Sequence, residues 1–297
     1  MNILISVNSK FLEIAKTMLY SLQINTKEKI VVYIINLNLK EIEIKDFNNY
    51  LIENCSIKLN VIDIGYELIN KLPIVSEQFS IEMYFRIFAQ FLLPNDLDRI
   101  LWLDADIIVM RDIIDFYYQD FEDKCFVVCR DRKYTNESIL TIKKNLEIPN
   151  YHDYFNSGVL LMNLEKLRKI TEIKSISEIC NKLKSKLTYP DQDLLNYIYA
   201  GKVKYNDWEK YNYQLFCDSE IDNNILNDVS ILHYCGQKKP WIYQNICDSS
   251  KYYWKIRYMQ GDKKNCRNIY KNILIDQITK TLQCVKQIFY VLFHKFP

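Results

Sequence analysis

The 297-residue chain predicts an α/β fold, a largely parallel sheet with helices on both faces. Two observations carry that expectation. Short, continuous apolar runs of strand length alternate with stretches of helical periodicity, the pattern of strands covered on both sides. The composition, 49% hydrophobic and 26% charged, is that of an ordered chain with ample core, which excludes wholesale disorder.

Taken in order, residues 3–7 form the first strand and a helix follows from about Phe11 to Leu22. Lys29–Leu37, rich in Ile and Val, is a second buried strand. Glu41–Glu53 reads as helix, Ile57–Ile64 as strand, and Glu77–Leu93 as a helix stopped by Pro94. Arg99–Leu103 and Cys125–Cys129 are further strands. Val159–Met162 is a short strand that enters a helix from about Glu165, and helices are expected at Ser175–Lys186 and Gln192–Ala200. Val229–Leu232 is a strand that delivers His233. Beyond Trp241 the pattern is helical to the end, and the character changes near residue 245. One domain over 1–245 and a helical extension over 246–297 follow. Open sheets of this kind bind ligands beyond the carboxyl ends of their strands, which is where chemistry is sought.

Five glycines, none close to another, exclude a G-x-G-x-x-G turn and a G-x-x-x-x-G-K phosphate loop. A nucleotide here needs another phosphate-binding device. A net charge of +2 argues against nucleic acid as a partner. From Lys251 onward ten Lys and Arg face two Asp and no Glu, a charge of +8, leaving −6 on the rest. Ile278, Leu282, Val285, Phe289, Leu292, Phe293 and Phe296 recur there at helical spacing among Lys280, Lys286 and Lys295. A basic, aromatic tail suits an anionic membrane surface. Nine cysteines without a C-x-x-C read as reduced apolar residues. Met1–Val7 reads as a strand rather than a signal peptide, and no run approaches the ~18–20 apolar residues of a membrane span. A cytoplasmic protein is expected, its tail either peripheral on the inner face of the cytoplasmic membrane or a helix packed on the protein's own core.

Four segments carry candidate chemistry. In Leu101-Trp102-Leu103-Asp104-Ala105-Asp106-Ile107-Ile108, two carboxylates interrupt an apolar run at a strand end. Burying them unpaired costs several kcal/mol each, and a hard divalent cation bridging to phosphate compensates them. Two other D-x-D triplets, at Asp96 and Asp191, lack that apolar setting on both sides. In His233-Tyr234-Cys235-Gly236-Gln237-Lys238-Lys239-Pro240-Trp241, His233 leaves a strand, Gly236 lets backbone approach a ligand, and Lys239 offers a positive charge to phosphate. His233 completes a metal shell with Asp104 and Asp106. Asn156-Ser157-Gly158 before an apolar strand is either a turn or a means of presenting Asn156 to a polyol. Tyr189-Pro190-Asp191-Gln192-Asp193 sits at a helix start, where Pro190 and Asp191 are also good capping residues.

Together with Tyr84-Phe85-Arg86, and in this order from residue 3 to about 241, these segments resemble glycosyltransferase family 8. That family comprises retaining GT-A enzymes, including bacterial lipopolysaccharide galactosyl- and glucosyltransferases and glycogenin. The resemblance implies a GT-A (Rossmann-like) catalytic domain with a mixed, mainly parallel sheet. It implies UDP-glucose or UDP-galactose as donor and Mn2+, or Mg2+, on Asp104, Asp106 and His233. It places Lys239 and the Gly236 backbone on the diphosphate, puts Arg86, Asn156, Asp191 and Gln192 around the donor sugar, and counts Ala105 with the donor-binding residues. Gln192 matches the position facing the β-side of the anomeric carbon. A neutral amide is a poor nucleophile, so the expected reaction is a dissociative same-face displacement in which Gln192, beside Asp191, steadies oxocarbenium charge. A covalent intermediate on a neighbouring carboxylate is the alternative. Where bacterial members tend to have Asp for the uracil N3–H, this chain has Asn8, whose carbonyl accepts the same bond, with Phe11 to stack on the base. The implied acceptor is a glycan, free or lipid-linked, of lipopolysaccharide or another surface polysaccharide. A glycogenin-like self-glucosylating initiator and an inactive sugar-nucleotide-binding scaffold are the competing readings.

Overall fold

A computed structural model describes residues 1–64, 81–216, 225–242 and 247–271, with positions 274, 275, 278 and 282 beyond them. The chain divides into two compact units, Met1–Gln214 with Asn227–His233, and Leu215–Leu226 with Tyr234–Pro297.

The first unit is built on strands β1 (Asn2–Ser6), β2 (Val31–Asn36), β3 (Lys58–Asp63), β4 (Arg99–Leu103), β6 (Phe126–Arg130), β7 (Phe155–Asn163) and β8 (Val203–Asn206). They form one seven-stranded sheet in the order β3-β2-β1-β4-β7-β6-β8. Of its neighbouring pairs, β1/β2, β2/β3, β1/β4 and β6/β8 are parallel. Only β7 runs against its neighbours, pairing antiparallel with β4 and β6. The sheet is therefore mixed and mainly parallel. A second sheet takes β5 (Ile107–Val109), β9 (Tyr213–Leu215) and β10 (Ile231–Tyr234) in the order β5-β10-β9. There His233 lies opposite Ile107 in an antiparallel register.

Side chains alternate across a strand, and the apolar runs are continuous because both faces of the large sheet are buried. Leu4, Ile100, Trp102, Phe126, Val128, Leu160 and Met162 point into one core. Helices α3 (Phe85–Leu92), α4 (Glu137–Asn145), α5 (Leu164–Ile170), α6 (Ile173–Leu183) and α7 (Pro190–Ile198) supply its other side. Ile3, Ile5, Leu101, Leu103, Val127, Cys129, Val159 and Leu161 point into the opposite core, against α1 (Leu12–Ile24) and α2 (Glu41–Cys55). Each fully buried Leu or Ile contributes roughly 1.5–3 kcal/mol, so two such layers fix the register of the strands whose ends carry the polar residues.

The expected elements through α2 and β3 are present with ends shifted by one or two residues. The expected helix at Glu77–Leu93 begins later. Its first residues, 77–80, lie outside the described residues, Ile81–Tyr84 is a 3-10 turn, and the α-helix starts at Phe85. Val159–Met162 extends backwards to Phe155, so Asn156-Ser157-Gly158 is strand and not turn. The helix at the Asp191 segment starts at Pro190 as capping chemistry expects, but the reaching-back carboxylate is Asp193. Asp193 Oδ2 accepts from the Thr188 and Tyr189 N–H groups at 2.6 and 2.9 Å. Strand β8 and helix α4 were not expected.

In the second unit, helix α8 (Ser250–Met259) is held to the preceding loop by Tyr234 Oη donating to Ser249 O at 2.8 Å and Trp254 Nε1 donating to Pro240 O at 2.8 Å. Residues 263–271 are also helical. Leu274, Ile275, Ile278 and Leu282 are exposed. The tail residues Lys280, Val285, Lys286, Phe289, Leu292, Phe293, Lys295 and Phe296 lie outside the described residues. No described helix is long and apolar enough to cross a membrane.

Candidate active site

The polar cluster sits at the carboxyl end of β4. Leu103 is buried and the chain then turns through Asp104, Ala105 and Asp106 before re-entering the core as β5. The Asp104 N–H donates to Gly158 O at 2.9 Å, carrying the β4/β7 ladder one residue past the strand. His233 is brought alongside by its pairing with Ile107. Its Nε2 lies 3.2 Å from Asp106 Oδ1 and 3.9 Å from Asp104 Oδ2. One ligand atom from each of the three residues falls within 4.8 Å of the others. Two carboxylate oxygens and one imidazole nitrogen suit Mn2+ or Mg2+ better than a thiophilic ion.

Gly158 explains how three side chains share so small a space. A Cβ there would lie 2.2 Å from His233 Cε1 and 2.9 Å from Asp104 Oδ2. Only glycine permits the cluster on this face of β7. The residues present therefore fit a divalent cation: oxygen and nitrogen ligands converge over a floor cleared of side chain.

Arg86 enters from the first turn of α3 and is buried. Nη2 donates to Asp104 Oδ1 at 2.8 Å, and Nη1 lies 3.2 Å from Asp191 Oδ2. Nη1 also donates to Ser157 O at 2.7 Å and to Ser157 Oγ at 3.0 Å. Its guanidinium lies over the Trp102 ring, 4.4 Å from the centroid, while Trp102 Nε1 donates to Asp104 Oδ1 at 2.8 Å. Burial alone would lower the Arg86 pKa, but Asp104, Asp191 and Asp106 outweigh it and raise it. Asp104 is thus compensated from within the chain, a partner that the spacing of the carboxylates alone does not reveal. Burial pushes the Asp191 carboxyl up from its ordinary value, with Arg86 and the Ser157 hydroxyl (Oγ to Oδ2, 3.0 Å) opposing.

Gln192 follows Asp191 and is buried. Its Oε1 accepts from Asn156 Nδ2 and from the Ser157 N–H, both at 3.0 Å, and its Nε2 points to Asp131 Oδ2 at 3.4 Å. Asn156 Oδ1 accepts from the Gly158 N–H at 3.0 Å and from Asn212 Nδ2 at 2.9 Å. Asp193 accepts from Tyr154 Oη.

The expected donor residues thus fall into three placements. Arg86, Asp104, Ala105, Asp106, Asn156, Asp191, Gln192 and His233 belong to one neighbourhood of the first unit. Asn8 follows β1, beside β4, and its Oδ1 caps the turn before α1 by accepting from the Lys10 N–H at 3.1 Å, with half-buried Phe11 closing that turn. Gly236 and Lys239 lie in the second unit. Gly236 has φ +79°, a left-handed conformation that favours glycine, and Lys239 Nζ donates to Tyr234 O at 2.7 Å. Sequence reasoning missed Asp131, Asn212 and the Trp102 contact. Asp131 and Asn212 sit in no motif, since their partners come from elements distant along the chain, and Trp102, inside the Asp104 segment, reads there only as an apolar strand residue.

A mixed α/β sheet with an Asp-x-Asp turn and a histidine at its carboxyl edge defines the class: a glycosyltransferase of the GT-A fold. The fold matches that of the galactosyltransferase LgtC solved with donor and acceptor sugar analogues, at a TM-score of 0.73 and 22% identity over 86% of this chain and 95% of that one. The chain belongs to glycosyl transferase family 8, whose pattern matches residues 2–245. It is 31% identical over 213 residues to the lipopolysaccharide 1,2-glucosyltransferase of Escherichia coli K12, covering 68% of this chain and 61% of that one. It is 26% identical over 204 residues to the lipopolysaccharide 1,3-galactosyltransferase of Salmonella typhimurium, covering 65% and 59%. The matches span about three fifths of the length of these two relatives.

Proposed function

We propose that this chain transfers a hexose, glucose or galactose, from a UDP-sugar to a glycan acceptor of the lipopolysaccharide or surface-polysaccharide class, with retention of anomeric configuration. The observation that carries the reading is the convergence of Asp104, Asp106 and His233 within 4.8 Å over Gly158, beside buried Arg86, Asp191 and Gln192. A bound Mn2+ or Mg2+ supplies Lewis-acid neutralisation of the charge on the departing diphosphate. The protein's own groups do the rest. Arg86 bridges Asp104 and Asp191, Nη2 on Asp104 Oδ1 and Nη1 beside Asp191 Oδ2, so that Asp104 is presented in one orientation. Asp191, tied to Arg86 and Ser157, is a poor nucleophile. Gln192, its carbonyl oxygen fixed by two donors, offers fixed dipoles rather than an attacking atom, in keeping with a same-face displacement through oxocarbenium character. Lys239 and the Gly236 N–H are proposed for the diphosphate, and Asn8 with Phe11 for the uracil. Residues 1–245 are the proposed catalytic domain of a cytoplasmic protein, with 246–297 as an extension toward an anionic lipid surface and a lipid-linked acceptor.

The test is a panel of UDP-sugars incubated with Mn2+ without acceptor, scored for UDP release. UDP-glucose or UDP-galactose should be consumed, and Asp106→Asn should abolish the metal-dependent rate. Full Mn2+-dependent turnover in that variant would sink the metal assignment. Inertness toward every UDP-sugar, with binding of another nucleotide, would overturn the uridine assignment through Asn8.

A further inference from the structure

The amide network behind His233 has only one consistent polarity. The Gly158 backbone N–H is an obligate donor, so the Asn156 side-chain atom it meets at 3.0 Å must be the carbonyl oxygen. The same oxygen meets Asn212 at 2.9 Å, so Asn212 turns its NH2 toward Asn156. A second backbone donor agrees: the Ser157 N–H fixes Gln192 Oε1 as an acceptor, and Asn156 presents its NH2 to that oxygen. With its nitrogen committed, Asn212 has only its carbonyl oxygen for His233 Nδ1, 2.9 Å away. An oxygen that cannot donate requires the hydrogen to sit on Nδ1. In the neutral ring Nε2 is then a bare lone pair facing Asp106 and Asp104 at 3.2 and 3.9 Å. The competing tautomer, with hydrogen on Nε2, would donate to Asp106 and close the ring nitrogen to any cation.

We propose that Asn212 is a positioning residue that holds His233 in the Nδ1–H tautomer, relaying the polarity of the Gly158 and Ser157 amides to the nitrogen that faces Asp104 and Asp106. A second hydrogen bond of this kind fixes both ring orientation and ligand basicity. All the participants are buried, so water does not compete for the imidazole or the amides. The proposal rests on reading Asp104, Asp106 and His233 as a cation site, and the experiment separates the two.

Nitrogen-15 NMR of the intact, metal-free protein, recorded at a pH high enough that the ring is neutral beside Asp104 and Asp106, reads the tautomer directly. The expected result is protonated Nδ1 and bare Nε2 for His233 in the wild type, with hydrogen moving to Nε2 in Asn212→Ala. Predominant Nε2–H in the wild type overturns the relay whether or not metal binds. Calorimetric titration with Mn2+ is the second arm. Asn212→Ala should bind roughly 10–100-fold more weakly. Wild-type affinity in Asn212→Ala, alongside lost binding in Asp106→Asn, overturns the relay and leaves the metal site standing. Wild-type Mn2+ affinity in Asp106→Asn overturns the cation site instead, and the tautomer measurement then decides the relay alone.

Discussion

Replacing Gly158 with alanine adds one methyl group at the most crowded point of the cluster. The backbone there lies inside β7, so alanine carries no conformational penalty and the effect is steric. The new carbon would stand 2.2 Å from His233 Cε1, and the ring has to retreat by about 1.2 Å to reach the 3.4 Å at which ordinary contact begins. Asn212 tethers the ring at Nδ1, and Asp104 Oδ2, 2.9 Å from the methyl, must move as well. Metal–ligand distances tolerate only about 0.2 Å, so a shift of that size removes His233 from the shell. Overpacking of this kind costs about 1–3 kcal/mol, or ~2–4 °C of Tm per kcal/mol in a chain of this order of size. Gly158→Ala is therefore expected to bind Mn2+ at least about tenfold more weakly, to release UDP more slowly, and to melt several degrees lower. Calorimetry, a UDP-release assay and a thermal melt on the same preparation measure all three. A variant with wild-type affinity, turnover and Tm would refute the claim that Gly158 clears space for the cluster.

Three further perturbations have defined outcomes. Arg86→Met leaves Asp104 and Asp191 without their common cation, and chemical denaturation should show a loss of about 3–5 kcal/mol; a loss below ~1 kcal/mol would mean that Arg86 contributes little. For Asp193, burial raises the folded-state pKa above its ordinary value, against the bonds from Tyr154, Thr188 and Tyr189. The native state therefore keeps that proton to higher pH, and the associated stability is present below the unfolded pKa of about 3.9 and lost as pH rises through the folded value. Asp193→Asn, with no proton to lose, should gain on the wild type across that rise, and a constant difference in Tm would contradict the shift. Removing residues 262–297, which carry most of the positive tail, should reduce co-sedimentation with anionic vesicles while sparing UDP release. Unchanged vesicle binding would count against a lipid-facing tail.

Most of the fold was legible because both faces of its sheet are buried. Continuous apolar runs such as Ile30–Ile35 and Ile100–Leu103 can be read without knowing their neighbours. The direction of β7 was not legible, since an antiparallel strand buried on both faces has the same composition as a parallel one. That strand is also why Asn156-Ser157-Gly158 reads equally as a turn or as a binding segment: small polar residues inside a central strand serve the cluster rather than the chain path. For the site, Asp104, Asp106 and His233 stood out as polar residues at the ends of apolar strands. Arg86 could be named only through the family resemblance, because its pairing with Asp104 crosses from α3 to β4. Asn212 and Asp131 left no signal, since an asparagine before a short strand and an aspartate just after one are ordinary loop chemistry.

The hydrogen bond from the Asp104 N–H to Gly158 O extends the ladder between two central strands to the cluster itself. Its exchange with deuterated solvent requires β4 and β7 to separate, which opens both cores at once. The Asp104 amide should therefore belong to the slowest-exchanging set, at a protection approaching that of global unfolding. The strand pairing thus holds the Asp104 backbone in place without a cation, so for this residue cation entry would be a filling step rather than a folding step.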